Sequence, residues 1–164
     1  MGDSMEAVKI KNALWLEEIG PNIKDFITNL NIPGITYESL FTYYQQSIQF
    51  GGEALEFWVV FDGHKPVSFA HFMVRGLPAV GKVYLDAIHS WVKDPEPVKL
   101  LLGEFYKFGV RSNALIYEAD AIDERVFRLF RKYGKQYGIN VEKTGRIHGI
   151  GKLLSQEERN EDLQ

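Results

Sequence analysis

Apolar and polar positions along the chain change their period several times, and each change marks an element. Residues 1–12 read either as a short strand around Ala7–Ile10 or as a loose arm. From Trp15 to Leu30 the period is helical, with Ile23, Phe26, Ile27 and Leu30 on one face, and Gly20-Pro21 predicts a break in that helix. Pro33-Gly34 stops the chain. Thr36 then predicts an N-cap, with Ile35 and Leu40 placed as a hydrophobic staple, and Leu40, Tyr43, Tyr44 and Ser47 continue one helical face until Gly51-Gly52.

The next stretch has the period of strands. Leu55–Phe61 and Val67–Val74 are rich in β-formers and flank Asp62-Gly63, which predicts a hairpin. Gly76–Gly81 reads as a loop. Lys82–Val92 predicts a third strand, and strict alternation puts Val83, Leu85, Ala87, His89 and Trp91 on one face and Tyr84, Asp86, Ile88, Ser90 and Val92 on the other.

Helical spacing returns at Asp94-Pro95, read as N-cap and first helical residue, with Val98, Leu101, Leu102, Phe105 and Phe108 as the apolar stripe. Ala114–Ala121 predicts a strand parallel to its neighbour, since a helix separates the two. Asp123 caps a further helix carrying Val126, Phe127, Phe130 and Tyr133 inward, and Gly138 ends it. Ile139–Glu142 and Arg146–Ile150 flank Lys143-Thr144-Gly145 as a terminal hairpin. The polar run from Gln156 to Gln164 reads as a tail, leaving residues 1–155 as one domain.

Composition narrows the function classes. The 164 residues suffice for one well-buried core, at 45% hydrophobic and 25% charged. A net charge of −3 gives no general attraction to nucleic acid or anionic membrane. The absence of cysteine excludes disulfides, thiolate metal sites and cysteine nucleophiles. No apolar run reaches the ~20 residues of a membrane span, and the first residues lack the pattern of a secretory signal, so a cytoplasmic protein is expected. The four histidines, His64, His71, His89 and His148, show no metal-ligand spacing, so no metal is expected. Arg125, Arg128, Lys132 and Lys135 form a basic stripe that reads as a solvated helix back, and Tyr43, Tyr44, Tyr106 and Tyr137 are candidates for exposed interface aromatics.

This order of elements over residues 55–150, after two helices, resembles the acyl-CoA-dependent N-acetyltransferase (GNAT) superfamily. The resemblance implies an α/β (α+β) fold with a mixed central sheet of about six to seven strands and helices on both faces. It further implies transfer of an acetyl or acyl group from CoA to an amine, on a small molecule or a protein. In that family acyl-CoA enters a gap between two splayed strands, and the matching edge is the backbone of Ile88, His89 and Ser90. The family's diphosphate loop is glycine-rich. Here the stretch is Trp91-Val92-Lys93-Asp94-Pro95-Glu96-Pro97-Val98-Lys99, with no glycine and two residues lacking N–H, leaving Lys93 and Lys99 as the cations for phosphate.

The family's second pattern, Asn-x-x-Ala-x-x-(Leu/Phe)-Tyr-x-x-x-Gly-Phe, falls on Asp123–Lys135. Asp123 stands for Asn, Val126 for Ala and Gly134 for Gly. Phe130 takes the place of the Tyr that commonly protonates the CoA thiolate, and it has no O–H to donate. General-base candidates are Glu118, His89 and Asp86, with Asp120 beside Glu118, and alternation predicts that His89 and Asp86 lie on opposite faces of the sheet. Two functions remain open: a divergent N-acyltransferase using acetyl-CoA, or a GNAT-like protein without catalysis. The second would serve binding or assembly, as a virus-encoded structural protein does, with a protein partner or a homo-oligomer.

Overall fold

The computed structural model describes residues 5–30, 33–34, 36–75, 81–119 and 124–139. Five strands form one sheet in sequence order: β1 (Met5–Lys9), β2 (Leu55–Asp62), β3 (Lys65–Arg75), β4 (Lys82–Ser90) and β5 (Ile116–Ala119). The first three pairings are antiparallel and β4–β5 is parallel, so the sheet is mixed. Five strands among the described residues is fewer than the six to seven expected. The missing pair is the terminal hairpin, which lies outside the described residues except for Ile139, as does the polar tail.

Helices cover both faces. α1 (Ala13–Leu30) and α2 (Tyr37–Phe50) lie on one, and α3 (Glu96–Arg111) and α4 (Glu124–Gly134) on the other. Under the first pair Leu16, Ile19, Ile23, Tyr44, Phe57, Val59, Phe69 and Ala87 are buried together. Under the second, Val83, Leu85, Ile88, Leu101, Phe105, Tyr106 and Phe130 form the other core. Tyr106 donates its O–H to the Phe130 carbonyl and so ties α3 to α4.

Three local expectations change. α1 is continuous through Gly20-Pro21, not broken there. An internal proline costs a helix about 3 kcal/mol, and burial of Leu16, Ile19, Ile23 and Ile27 outweighs it at about 1.5–3 kcal/mol each. Gly20 serves packing instead: a Cβ there would sit 2.7 Å from the Tyr37 hydroxyl of α2. α3 starts one residue later than expected. Pro95 is the N-cap residue, and Asp94 acts from outside by accepting the Glu96 N–H at 2.9 Å. Of the four tyrosines marked as exposed, Tyr44 and Tyr106 are fully buried.

Other expectations hold. Thr36 caps α2 and accepts the Ser39 N–H at 3.1 Å, with Ser39 reciprocating in a capping box; its staple partner Ile35 lies outside the described residues. The β2–β3 hairpin turns at Gly63, whose φ of 65° is the left-handed conformation such a turn requires.

Candidate active site

β4 and β5 pair in parallel over the described part of β5. Their register runs from Lys82↔Ile116 to Leu85↔Ala119, the last described residue of β5. β4 continues to Ser90 beside β3, and among the described residues no strand pairs with its other edge beyond Leu85. This is the edge of Ile88, His89 and Ser90. Ile88 is buried among the residues under α3, and the Ser90 hydroxyl is used locally, donating to the Val92 carbonyl at 3.2 Å.

A β-bulge follows Leu85 directly. His71 pairs with Ala87 and Phe72 with Leu85, so Asp86 is the extra residue. A bulge resets alternation. Val83, Leu85 and Ile88 face α3, whereas Ala87 joins the core under α1 and α2. Asp86 turns the same way as Ala87, because its Oδ2 lies 3.0 Å from Nδ1 of His71, whose ring packs edge-on against Tyr43 of α2. His89 also lies on this side, edge-on to Trp91 at 5.8 Å and near Phe69. The predicted separation of Asp86 and His89 across the sheet is therefore overturned by one extra residue in the strand. Asp86 pairs with His71.

His71 is wholly buried and Asp86 is about one quarter exposed, so the pair reaches from the core to the surface. The Tyr43 phenol faces the Asp86 carboxylate and the Ser47 hydroxyl. Burial, and then the Asp86 charge, push it up to about 12. Tyr44 is pushed well above its usual range, chiefly by burial. The Arg75 guanidinium lies 3.7 Å over the Tyr84 ring, on the same side of the sheet.

The remaining predicted residues are spread out. Glu118 is ion-paired with Lys82 at the paired end of β4. Lys93 is exposed just before α3, and Lys99 sits 3.9 Å from Glu96 and over the Tyr133 ring at 5.5 Å. Phe130 is packed in the core, stacked on Tyr106 with ring centroids 5.6 Å apart. Asp120 and Asp123 lie outside the described residues. Cavities of about 450 Å³ beside β1 and about 640 Å³ under the far end of the sheet do not touch Asp86. No cluster of three or more metal-ligating side chains occurs among the described residues, and no described helix is long and apolar enough to cross a membrane.

His71 escaped the sequence reading. Its only signal was a histidine in an apolar run, two residues from Phe69 on the same face. The bulge that brings Asp86 to it leaves no mark in the periodicity.

No family model matches the chain, and no curated protein matches it. Solved structures do. An aminoglycoside N-acetyltransferase, AAC(6')-Iy, bound to a CoA-containing bisubstrate analogue, superposes with a TM-score of 0.61 at 16% identity, over 92% of this chain and 99% of that one. The fold is that of the GNAT acetyltransferases. A predicted acetyltransferase from Clostridium acetobutylicum with acetyl-CoA gives a TM-score of 0.61 at 15% identity, over 85% and 92% of the two chains. A ribosomal-protein-alanine N-acetyltransferase from Brucella melitensis biovar Abortus gives 0.56 at 15%, over 89% and 97%. At these identities the likeness to GNAT enzymes is one of fold.

Proposed function

We propose that the chain is an N-acyltransferase that moves an acyl group from CoA to an amine, with Asp86 as the proton acceptor. The observation that carries this reading is the coincidence of two things at one residue of β4: the bulge, and a partly exposed carboxylate held by a buried histidine. Acyl-CoA supplies the acyl group as a reactive thioester. The backbone edge of Ile88, His89 and Ser90 suits a pantetheine arm laid alongside as an added strand. Asp86 takes the proton that the amine nitrogen releases as it bonds to the acyl carbon and the carbon–sulfur bond breaks. Glu118, ion-paired with Lys82, and His89, packed on Trp91, stay outside the proton path.

Phosphate binding differs from the family's usual form. The α3 start offers no glycine, Pro95 and Pro97 lack N–H, and Asp94 already accepts the Glu96 N–H. Lys93 and Lys99, with Asp123 on the pantetheine side, are left to hold CoA by charge and side-chain contact. Weak CoA binding is the consequence.

The second reading, a GNAT-like binding or assembly protein without catalysis, is favoured by that same α3 start and by Phe130, whose position offers the departing thiolate no O–H. Calorimetry with acetyl-CoA and turnover of an amine panel, including amino acids, peptide N-termini and polyamines, separates the two. Acyl transfer falling about 100-fold or more in Asp86→Asn, with CoA binding retained, is the expected result. No heat of binding and no turnover by the wild type would leave the second reading standing.

A further inference from the structure

The strongest feature that the proposed reaction leaves unused is the buried face of the Asp86 pair. His71 is fully buried, enclosed by Tyr43, Tyr44 and Phe57 at ring-centroid distances of 5.3, 5.4 and 6.2 Å. Its Nδ1 meets Asp86 Oδ2 at 3.0 Å. A carboxylate only accepts, so the proton of that bond is on Nδ1. Nε2 has no hydrogen-bond partner among the described residues, and the same is true of the Tyr44 hydroxyl on the neighbouring ring. Buried polar groups are rarely left unpaired, so the bond to Asp86 is the one described hydrogen bond that fixes this ring.

We infer that His71 is a positioning residue for Asp86: its Nδ1–H holds one carboxylate oxygen from behind and turns the other toward the exposed side of the group. The inference rests on the acyl-transfer reading for its kinetic consequence, while the His71–Asp86 bond stands apart from it. A bulge residue is poorly fixed by its strand, because it has no opposite number in the ladder. Its side chain needs an anchor from elsewhere, and β3 supplies one from the rigid middle of the sheet. Tyr43 approaches the same carboxylate from α2, so two donors on two elements define one rotamer. Arg75 is the remaining charged group felt by that cluster.

The test compares His71→Leu, His71→Asn and Asp86→Asn, alone and combined. Leucine fills the apolar enclosure without a donor. Asparagine restores an N–H near the position of Nδ1. His71→Leu is expected to lower kcat about 10–100-fold, the scale of lost orientation behind a reacting group, with KM for acetyl-CoA within about twofold of wild type. His71→Asn is expected to recover most of that loss. In the Asp86→Asn background His71→Leu should cost nothing further, because its effect passes through Asp86. Wild-type kcat in His71→Leu, or an equal loss from Leu and Asn accompanied by equal loss of melting temperature, would overturn the assignment. Long-range ¹H–¹⁵N spectra of the histidine rings supply a readout independent of turnover: Asp86→Asn should change the His71 Nδ1–H signal. An unchanged signal overturns the positioning bond, whereas a changed signal in a protein that acylates nothing overturns only the acyltransferase reading.

Discussion

Glu56 offers the sharpest test of how β1 and α3 are held to β2. It is a carboxylate on β2, only 6% exposed. Arg111 at the end of α3 reaches both its oxygens, at 2.8 and 3.1 Å; Lys9 of β1 donates at 3.1 Å and the Trp58 indole N–H at 2.9 Å. Breaking a fully buried ion pair costs about 3–5 kcal/mol. That figure is too high here, because the Arg111 and Lys9 side chains are 50% and 35% exposed and can return to water. The part-buried Trp58 bond to a charged acceptor is worth about 1.5 kcal/mol. The two half-exposed cations add about 0.5–1 kcal/mol each. Glu56→Ala should therefore destabilise by about 3 kcal/mol, which at 2–4 °C per kcal/mol for a chain of this length is a fall of about 6–12 °C in Tm. Glu56→Gln keeps one acceptor oxygen, and should lose about half as much. Urea melts followed by tryptophan fluorescence measure both, with Trp58 reporting the site directly. A loss below about 0.5 kcal/mol for Glu56→Ala would refute the reasoning, since it would mean that solvent compensates even the Trp58 bond.

Two further outcomes follow from the aromatic groups. Tyr43 keeps its proton up to about 12 in the folded chain while the unfolded chain releases it near 10, so its stabilisation is complete below pH 10 and lost between pH 10 and 12. The ceiling of two pH units is about 2.7 kcal/mol, reduced to about 1 kcal/mol for a phenol that is half in solvent. Denaturant melts across pH 9–12 should show this slope shrinking in Tyr43→Phe, and an identical slope in the variant would be the contrary result. Phe130→Tyr, which supplies the phenol of the family pattern, should destabilise by about 1–3 kcal/mol rather than raise kcat, because the added oxygen enters a tight stack on Tyr106. A more active variant of unchanged Tm would contradict the core placement.

What was legible in the sequence was whatever local chemistry decides. The Thr36 cap, the Gly63 turn and the stripe from Val98 to Phe108 are each written in a few adjacent residues, and the structure bears them out. What was not legible depends on partners far along the chain. Pro21 reads as a break until the buried face of α1 is weighed against it. Asp86 reads as facing away from His89 until the β3 register places two β4 residues where one belongs. His71 then becomes a partner of Asp86 across a hairpin, at a separation of 15 residues that no helical or strand period encodes.

The edge of β4 that faces away from β3 has a consequence for observation. In an ordinary interior strand both edges are hydrogen-bonded and amide exchange reports only unfolding. Between Asp86 and Ser90, alternate β4 amides point away from β3, past the described pairing with β5. A molecule lying along that edge as an added strand would slow their exchange with solvent deuterium, residue by residue and in alternation. Occupancy of that edge can thus be read from the backbone itself, whether or not any acyl group is transferred.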